Sequence, residues 1–388
     1  MTKNLQAYRD VMVHSLVTQG YISSEPVKRA FATVPRHLFV HHYYVRQPGT
    51  PHWDYHEASD TEVWYRQVYS DTAFVTLVDE MGRTLSSSSQ PAVMARMLEL
   101  LDVQPGQRVL EIGTGSGYNT TLLAQLTGNP ALVTTIDIEP EVMPQAMHAI
   151  EQSVGSGVTL HIGDGSQGYL EHAPYQRIIA TASTPTVPAA WAEQLAPSGT
   201  LVCILQPGIS MCGGILQATK TAGGLSGQVI YKATFMPLHT ADFRYLPART
   251  PHLNMKIPVL ATFPFDSQFF DPSFTWDPDF QFFLFYTIPD VSIVEQTQEG
   301  RPPFTIFYEG TLPDCYVSFF EEQGKQQVEL RGSRAPIFWK RLIHLYTFWV
   351  LLGRPSVESY HFKMNQDGQQ LYLSSEKGMF WPFAGCEK

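Results

Sequence analysis

The chain has 388 residues, 44% of them apolar and only 16% charged, so it is not a disordered chain and has length for two domains of ~100–200 residues. Its 36 acidic residues outnumber 26 basic ones, for a net charge of −10, and the bases are scattered singly, which argues against a nucleic-acid partner. The four cysteines, Cys203, Cys212, Cys315 and Cys386, show no CxxC spacing and no histidine partners, so no metal set is expected and they read as thiols of a reducing cytoplasm. Residues 1–20 lack the long apolar run of a signal peptide, and the longest apolar stretch, Leu345 to Leu352, is too short to span a membrane. A cytoplasmic protein without a membrane partner is the expectation.

In chain order, Leu5, Tyr8, Met12 and Leu16 recur at helical spacing over residues 3–19. Ser24 is an N-cap for a second helix with Pro26 in its first turn, ending before Pro35. Residues 46–70 mix aromatics and prolines without a period and read as loop. Residues 91–102 form a helix opened by Pro91. Strand and helix then alternate: strands near 108–112, 132–138, 158–162, 177–182 and 201–205, with helices at 118–126, 141–152 and 187–195. This alternation predicts a parallel, doubly wound α/β sheet, closed by a hairpin of strands 215–220 and 229–236. Beyond residue 238 prolines and aromatics crowd the sequence. Short strands are expected at 282–287, 305–308 and 315–319, a helix at 335–352, and a hairpin about Asp367-Gly368. The division is into a helical, substrate-side region 1–80, a ligand-binding core 81–238 and a smaller α+β C-terminal domain 239–388.

The sharpest motif runs Val109-Leu-Glu-Ile-Gly113-Thr-Gly115-Ser-Gly117-Tyr118, after a strand and before a helix. A dinucleotide GxGxxG loop would need its third glycine at 118; here it stands at 117. The GxGxG form resembles the S-adenosyl-L-methionine (AdoMet) loop of Rossmann-like methyltransferases, and makes Gly113, Thr114, Gly115, Ser116 and Gly117 candidate cofactor residues. Asp137, beside Ile138 at the end of the next strand, can accept two ribose hydroxyls. Asp164, in Gly163-Asp164-Gly165 at the end of the third, can accept from an adenine amine. Glu111 is expected near the ammonium of the methionine part.

The span from about Ser24 to Leu238 resembles the protein-L-isoaspartate O-methyltransferase family. The marks are Phe31-Ala-Thr-Val-Pro-Arg-His-Leu-Phe39, Leu85-Ser-Ser-Ser-Ser-Gln-Pro91, the loop Glu111–Gly117, Gly163-Asp-Gly165 with Ala173-Pro-Tyr175, Thr181-Ala-Ser-Thr-Pro185 and Gln194-Leu-Ala-Pro-Ser-Gly199. The resemblance implies AdoMet as cofactor, and methyl transfer to a carboxylate of a peptide or protein partner carrying isoaspartate or aspartate. The ester formed can collapse to a succinimide. The family's Thr-Ile-Ser-x-Pro hallmark aligns on Ser87-Ser88-Ser89-Gln90-Pro91, which makes Ser89 the active-site serine. Ser87 and Ser88 stand where the hallmark has Thr and Ile, and Asp71–Leu77 replaces the segment before it.

The C-terminal region exceeds the ordinary repair enzyme. Variants with such extensions resemble enzymes that methylate one chosen aspartate of a ribosomally made peptide to give an aspartimide, the alternative reading. A non-catalytic peptide-binding protein on this fold is a third, against which the intact glycine loop and Asp137 speak. A carboxylate with pKa near 4 is already ionised and needs no general base. The task is alignment and water exclusion, which short hydroxyls suit, so Ser89, with Ser88 and Ser87 assisting, is expected to orient the acceptor. In the C-terminal region, Phe338, Leu342, Leu345 and Trp349 read as core, and the Pro/Phe-rich segment 263–285 as a candidate peptide-gripping surface.

Overall fold

The computed structural model describes residues 5–47, 50, 52–207, 212–240, 257–265, 277–288, 291–296, 304–309 and 315–373. The chain opens with α1 (Leu5–Thr18) and α2 (Glu25–Thr33). Ser24 caps α2, its hydroxyl accepting from the Val27 N–H at 3.4 Å. The stretch expected as loop is instead β1 (His42–Arg46), β2 (Trp53–Glu57) and α3 (Glu62–Val68). With β3 (Phe74–Val78) and β4 (Thr84–Ser88) these strands form an antiparallel sheet in the order β2-β1-β3-β4. Its private core is aromatic: Tyr43 packs on Trp64 at 5.4 Å and on Phe74 at 4.9 Å between ring centres. Stacked rings, not alternation, hold it, so periodicity missed it. The expected boundary between residues 80 and 81 falls inside the β3–β4 hairpin and divides nothing.

Ser86, Ser87 and Ser88 end β4, and Ser89 lies just beyond it. Gln90 precedes α4 (Pro91–Leu101) without a capping bond of its own, and Asp71 does the capping, accepting from the Ala92 N–H at 2.8 Å. Then follow β5 (Val109–Ile112), α5 (Tyr118–Thr127), β6 (Val133–Asp137), α6 (Met143–Val154), β7 (Thr159–Ile162), β8 (Tyr175–Thr184), α7 (Ala189–Gln194), β9 (Leu195–Leu205), β10 (Gly214–Thr221) and β11 (Gly224–Lys232). The C-terminal region holds β12 (Val259–Pro264), α8 (Pro278–Thr287), β13 (Val291–Gln296), β14 (Phe304–Glu309), β15 (Tyr316–Glu322), β16 (Lys325–Arg331), α9 (Ala335–Leu351), β17 (Tyr360–Asn365) and β18 (Gly368–Leu373).

The central sheet runs β18-β17-β11-β10-β9-β8-β5-β6-β7, parallel from β9 through β7 and antiparallel beyond β9. Alternate residues of its strands feed two cores. Ile179, Val202 and Ile204 meet the layer that includes α2, α4 and α5, while Ile178, Leu201 and Cys203 meet the layer that includes α7, α8 and α9. This is the expected doubly wound α/β sheet.

The expected boundary at 238 does not hold. β17 pairs with β11, and Gln369 from β18 bonds both the N–H and the C=O of Val187. Residues 282–287, expected as a strand, belong to α8, because Asp277 accepts from the N–H groups of Asp279 and Phe280 and Pro278 opens the turn. Phe280, Phe282, Phe283 and Phe285 are buried in one core with Phe338 and Trp349, so they are not gripping anchors; residues 266–276 of that candidate surface lie outside the described residues. Cys203, Cys212 and Cys315 are buried, and Cys386 lies outside the described residues. No helix among the described residues is long and apolar enough to cross a membrane.

Cutting the chain after residue 238 is therefore expected to unfold it. The cut removes Phe280, Phe282, Phe283, Phe338 and Trp349 and exposes retained residues of the same core, among them Leu201, Leu216, Leu225 and Val229, at ~1.5–3 kcal/mol of lost burial each against a whole domain's ~5–15 kcal/mol. Loss of the cooperative thermal transition in circular dichroism is the expected result. A sharp melt in the truncated chain would make the C-terminal region an independent layer after all.

Candidate active site

The order of the parallel strands reverses at β5, with β6 and β7 on one side and β8 and β9 on the other. Ligands of such sheets bind beyond the strand ends at this point. A cleft of about 790 Å³ opens there. Gly113, Thr114, Gly115 and Ser116 line it from the loop, Asp137 and Ile138 from the end of β6, and Gly165 from the third strand's loop. Ser87 and Ser89, with Ser86, close it from β4 and the residue beyond.

The glycines of the loop have different tasks. Gly115 has φ +50°, and a Cβ there would stand 2.8 Å from the Ser87 carbonyl oxygen, so the serine strand is pressed directly onto the loop. Gly117 has φ +83° and does not line the cleft; a Cβ would crowd Ile150 at 3.1 Å. Gly117 packs between α5 and α6, against Ile150 and Ala146.

Asp137 accepts from the Gly115 N–H at 2.8 Å and the Glu139 N–H at 3.0 Å, which leaves each oxygen a lone pair for another donor. Burial pushes its carboxyl above the usual range, against those two bonds. Glu111 is not where the sequence led one to expect. It is fully buried outside the cleft lining, accepting from Asn119 Nδ2 at 2.8 Å, Thr135 Oγ1 at 2.7 Å and Thr120 Oγ1 at 2.5 Å, and burial pushes its carboxyl up to about 7. It fixes Asn119, a residue that does line the cleft and whose Oδ1 is left without a partner. Asp164 also stays out of the lining; it caps its own turn, accepting from the Ser166 N–H at 2.8 Å.

These features fit AdoMet. Asp137 offers an anionic acceptor for ribose hydroxyls, and Asn119 Oδ1 is an orphaned buried acceptor in the wall. Asn119 had no sequence signal beyond its place in the first turn of the helix.

The three hallmark serines part ways. Ser87 and Ser89 line the cleft, and neither hydroxyl bonds to another described residue. Ser88 is not in the lining; it is 1% exposed and its hydroxyl is unpaired. It does not join the acceptor-orienting set. Ser88→Ala relieves that buried orphan, so it is expected to raise the unfolding free energy by about 1 kcal/mol in urea titration and to leave turnover intact. A large loss of turnover would return Ser88 to the site.

A second wall comes from residues the sequence did not single out. Met236, Pro237, Leu238 and His239 run as a strap along the end of β8, tied by Ser183 N–H to Met236 O at 2.8 Å and by Leu238 N–H to Ser183 O at 2.7 Å. His239 Nδ1 lies 3.6 Å from Glu139 Oε1, beside the β6 wall.

The sequence profile of the family Protein-L-isoaspartate(D-aspartate) O-methyltransferase (PCMT) matches residues 53–242. A protein-L-isoaspartate O-methyltransferase of Methanococcus maripaludis is 32% identical over 227 residues, which span 58% of this chain and 93% of that protein. The chain belongs to the protein-L-isoaspartate O-methyltransferase family. One of Roseiflexus castenholzii, of the same name, is 35% identical over 245 residues, 62% of this chain and 97% of the relative. A solved structure of a protein-L-isoaspartate O-methyltransferase covers 95% of this chain and 100% of its own at 22% identity, with a TM-score of 0.56, and has the same fold. Family membership makes this chain an AdoMet-dependent methyltransferase, and AdoMet its cofactor.

Proposed function

We propose that the protein transfers a methyl group from AdoMet to a carboxylate of an isoaspartyl residue in a peptide or protein. The observation that carries this reading is the unpaired Ser89 hydroxyl on a cleft that also holds the glycine loop and Asp137. The relatives' names support the isoaspartyl acceptor. No observation favours the alternative of a dedicated tailoring enzyme for one aspartate.

Bound AdoMet supplies an activated methyl group. The chain's own residues do the rest. Asp137 and the loop backbone hold the donor at the β5–β6 end. Ser89 donates to one acceptor oxygen and leaves the other free to attack. Among the described residues that line the cleft there is no lysine or arginine, so nothing pairs tightly with the acceptor carboxylate and blunts it. No proton needs removing, because the acceptor is ionised at neutral pH.

The test is methyl transfer from labelled AdoMet to matched peptides with isoaspartate or aspartate at one position. Labelling of the isoaspartyl peptide alone, across unrelated sequences, is the expected result. Labelling of neither, with AdoMet bound, would sink the reading and favour a dedicated partner peptide.

A further inference from the structure

We propose that Arg36 and Asp71, neither of which lines the cleft, are positioning residues that set Ser89 against the acceptor. This inference rests on the reading of Ser89 given above. Arg36 stands in the Val-Pro-Arg-His-Leu-Phe run, after α2, and is fully buried. It donates from Nη1 to the carbonyls of Val68 at 2.8 Å and Ser70 at 2.9 Å. From Nη2 it donates to Thr72 at 2.8 Å and to Ser89 itself at 3.1 Å. Its guanidinium lies 5.2 Å from the Phe74 ring centre and 5.8 Å from that of Tyr118, a residue at the start of α5, directly after the glycine loop.

Asp71 sits in the loop Arg36 gathers, between Ser70 and Thr72. Its Oδ1 accepts from the Ala92 N–H and its Oδ2 from Gln90 Nε2, both at 2.8 Å. Ser89 is thus held from its own carbonyl on one side and through the next residues on the other. The serine has left β4 and has not entered α4, so no ladder of backbone bonds fixes it. Fixed charges supply what regular structure does not. A buried guanidinium that spends the donors of Nη1 and Nη2 on four carbonyls, with Nε left unpaired, contributes more to register than to stability, and register decides whether the hydroxyl meets the acceptor.

The experiment is a double-mutant cycle of Asp71→Asn with Ser89→Ala on the full chain, with isoaspartyl peptide as acceptor. Asparagine keeps the volume and one acceptor oxygen, so the fold is retained. Asp71→Asn alone is expected to lower kcat about tenfold, with peptide KM and calorimetric AdoMet affinity unchanged. In the Ser89→Ala background the same change is expected to cost nothing more. Arg36→Lys, which cannot reach four carbonyls, is expected to behave alike. Additive losses in the cycle, or unchanged kcat in Asp71→Asn and Arg36→Lys, would overturn the positioning role while leaving the carboxyl methyltransferase reading intact. Wild-type protein that labels no peptide would overturn that reading first.

Discussion

Replacing Ser89 by alanine is expected to lower the methyl-transfer rate on the order of 100-fold and to leave AdoMet affinity unchanged. The size is that of one oriented donor removed from a water-poor site. The substitution is clean for a structural reason: Arg36 holds Ser89 by its carbonyl, which alanine keeps, and the hydroxyl bonds to no described residue. What alanine removes is the donor alone. Single-turnover kinetics with isoaspartyl peptide, beside calorimetric titration with AdoMet, reads both quantities. If the rate held, the acceptor would be oriented elsewhere in the cleft, with Ser87 the remaining free hydroxyl.

Asp137→Ala, at the end of β6, is expected to show the complementary pattern. AdoMet affinity is expected to fall by about 100- to 1,000-fold. Two charge-assisted bonds that Asp137 would make to the ribose, at ~1.5–3 kcal/mol each with partial compensation by water, set this expectation. Asp137→Asn is expected to lose nearly as much, because its amide must face the N–H of Gly115 or Glu139 with a donor of its own. An unchanged titration for the alanine variant would remove Asp137 from the site. The two substitutions together separate donor from acceptor: one moves affinity for AdoMet, the other the rate once it is bound.

The parallel core was legible because its strands are buried runs of Val, Ile and Leu that alternate with helices at short intervals. The glycine loop and Asp137 were legible because such a fold puts ligands at strand ends, whatever the rest of the chain does. Glu111 misled for a local reason. A carboxylate beside the loop reads as a ligand group, but β5 is buried on both faces, and Glu111 turns inward to three polar side chains. Gly117 misled likewise, since a motif glycine can serve helix packing instead of the ligand. Ser88 and Ser89 could not be told apart by composition; the end of β4 decides which hydroxyl faces the cleft. The edges of the C-terminal region were the largest error. Nothing in a single sequence announces that strands at residues 360–373 will pair with one at 224–232, because that pairing is fixed by edges in space.

The strap at Met236–His239 has a thermodynamic consequence. It is a wall of the cofactor cleft and also the stretch through which the chain passes from β11 toward the C-terminal layer. Whatever free energy the strap lends to a ligand in the cleft, the ligand returns in equal measure to the strap. Filling the cleft is therefore expected to hold the strap down, and loosening the strap to weaken the ligand by the same factor.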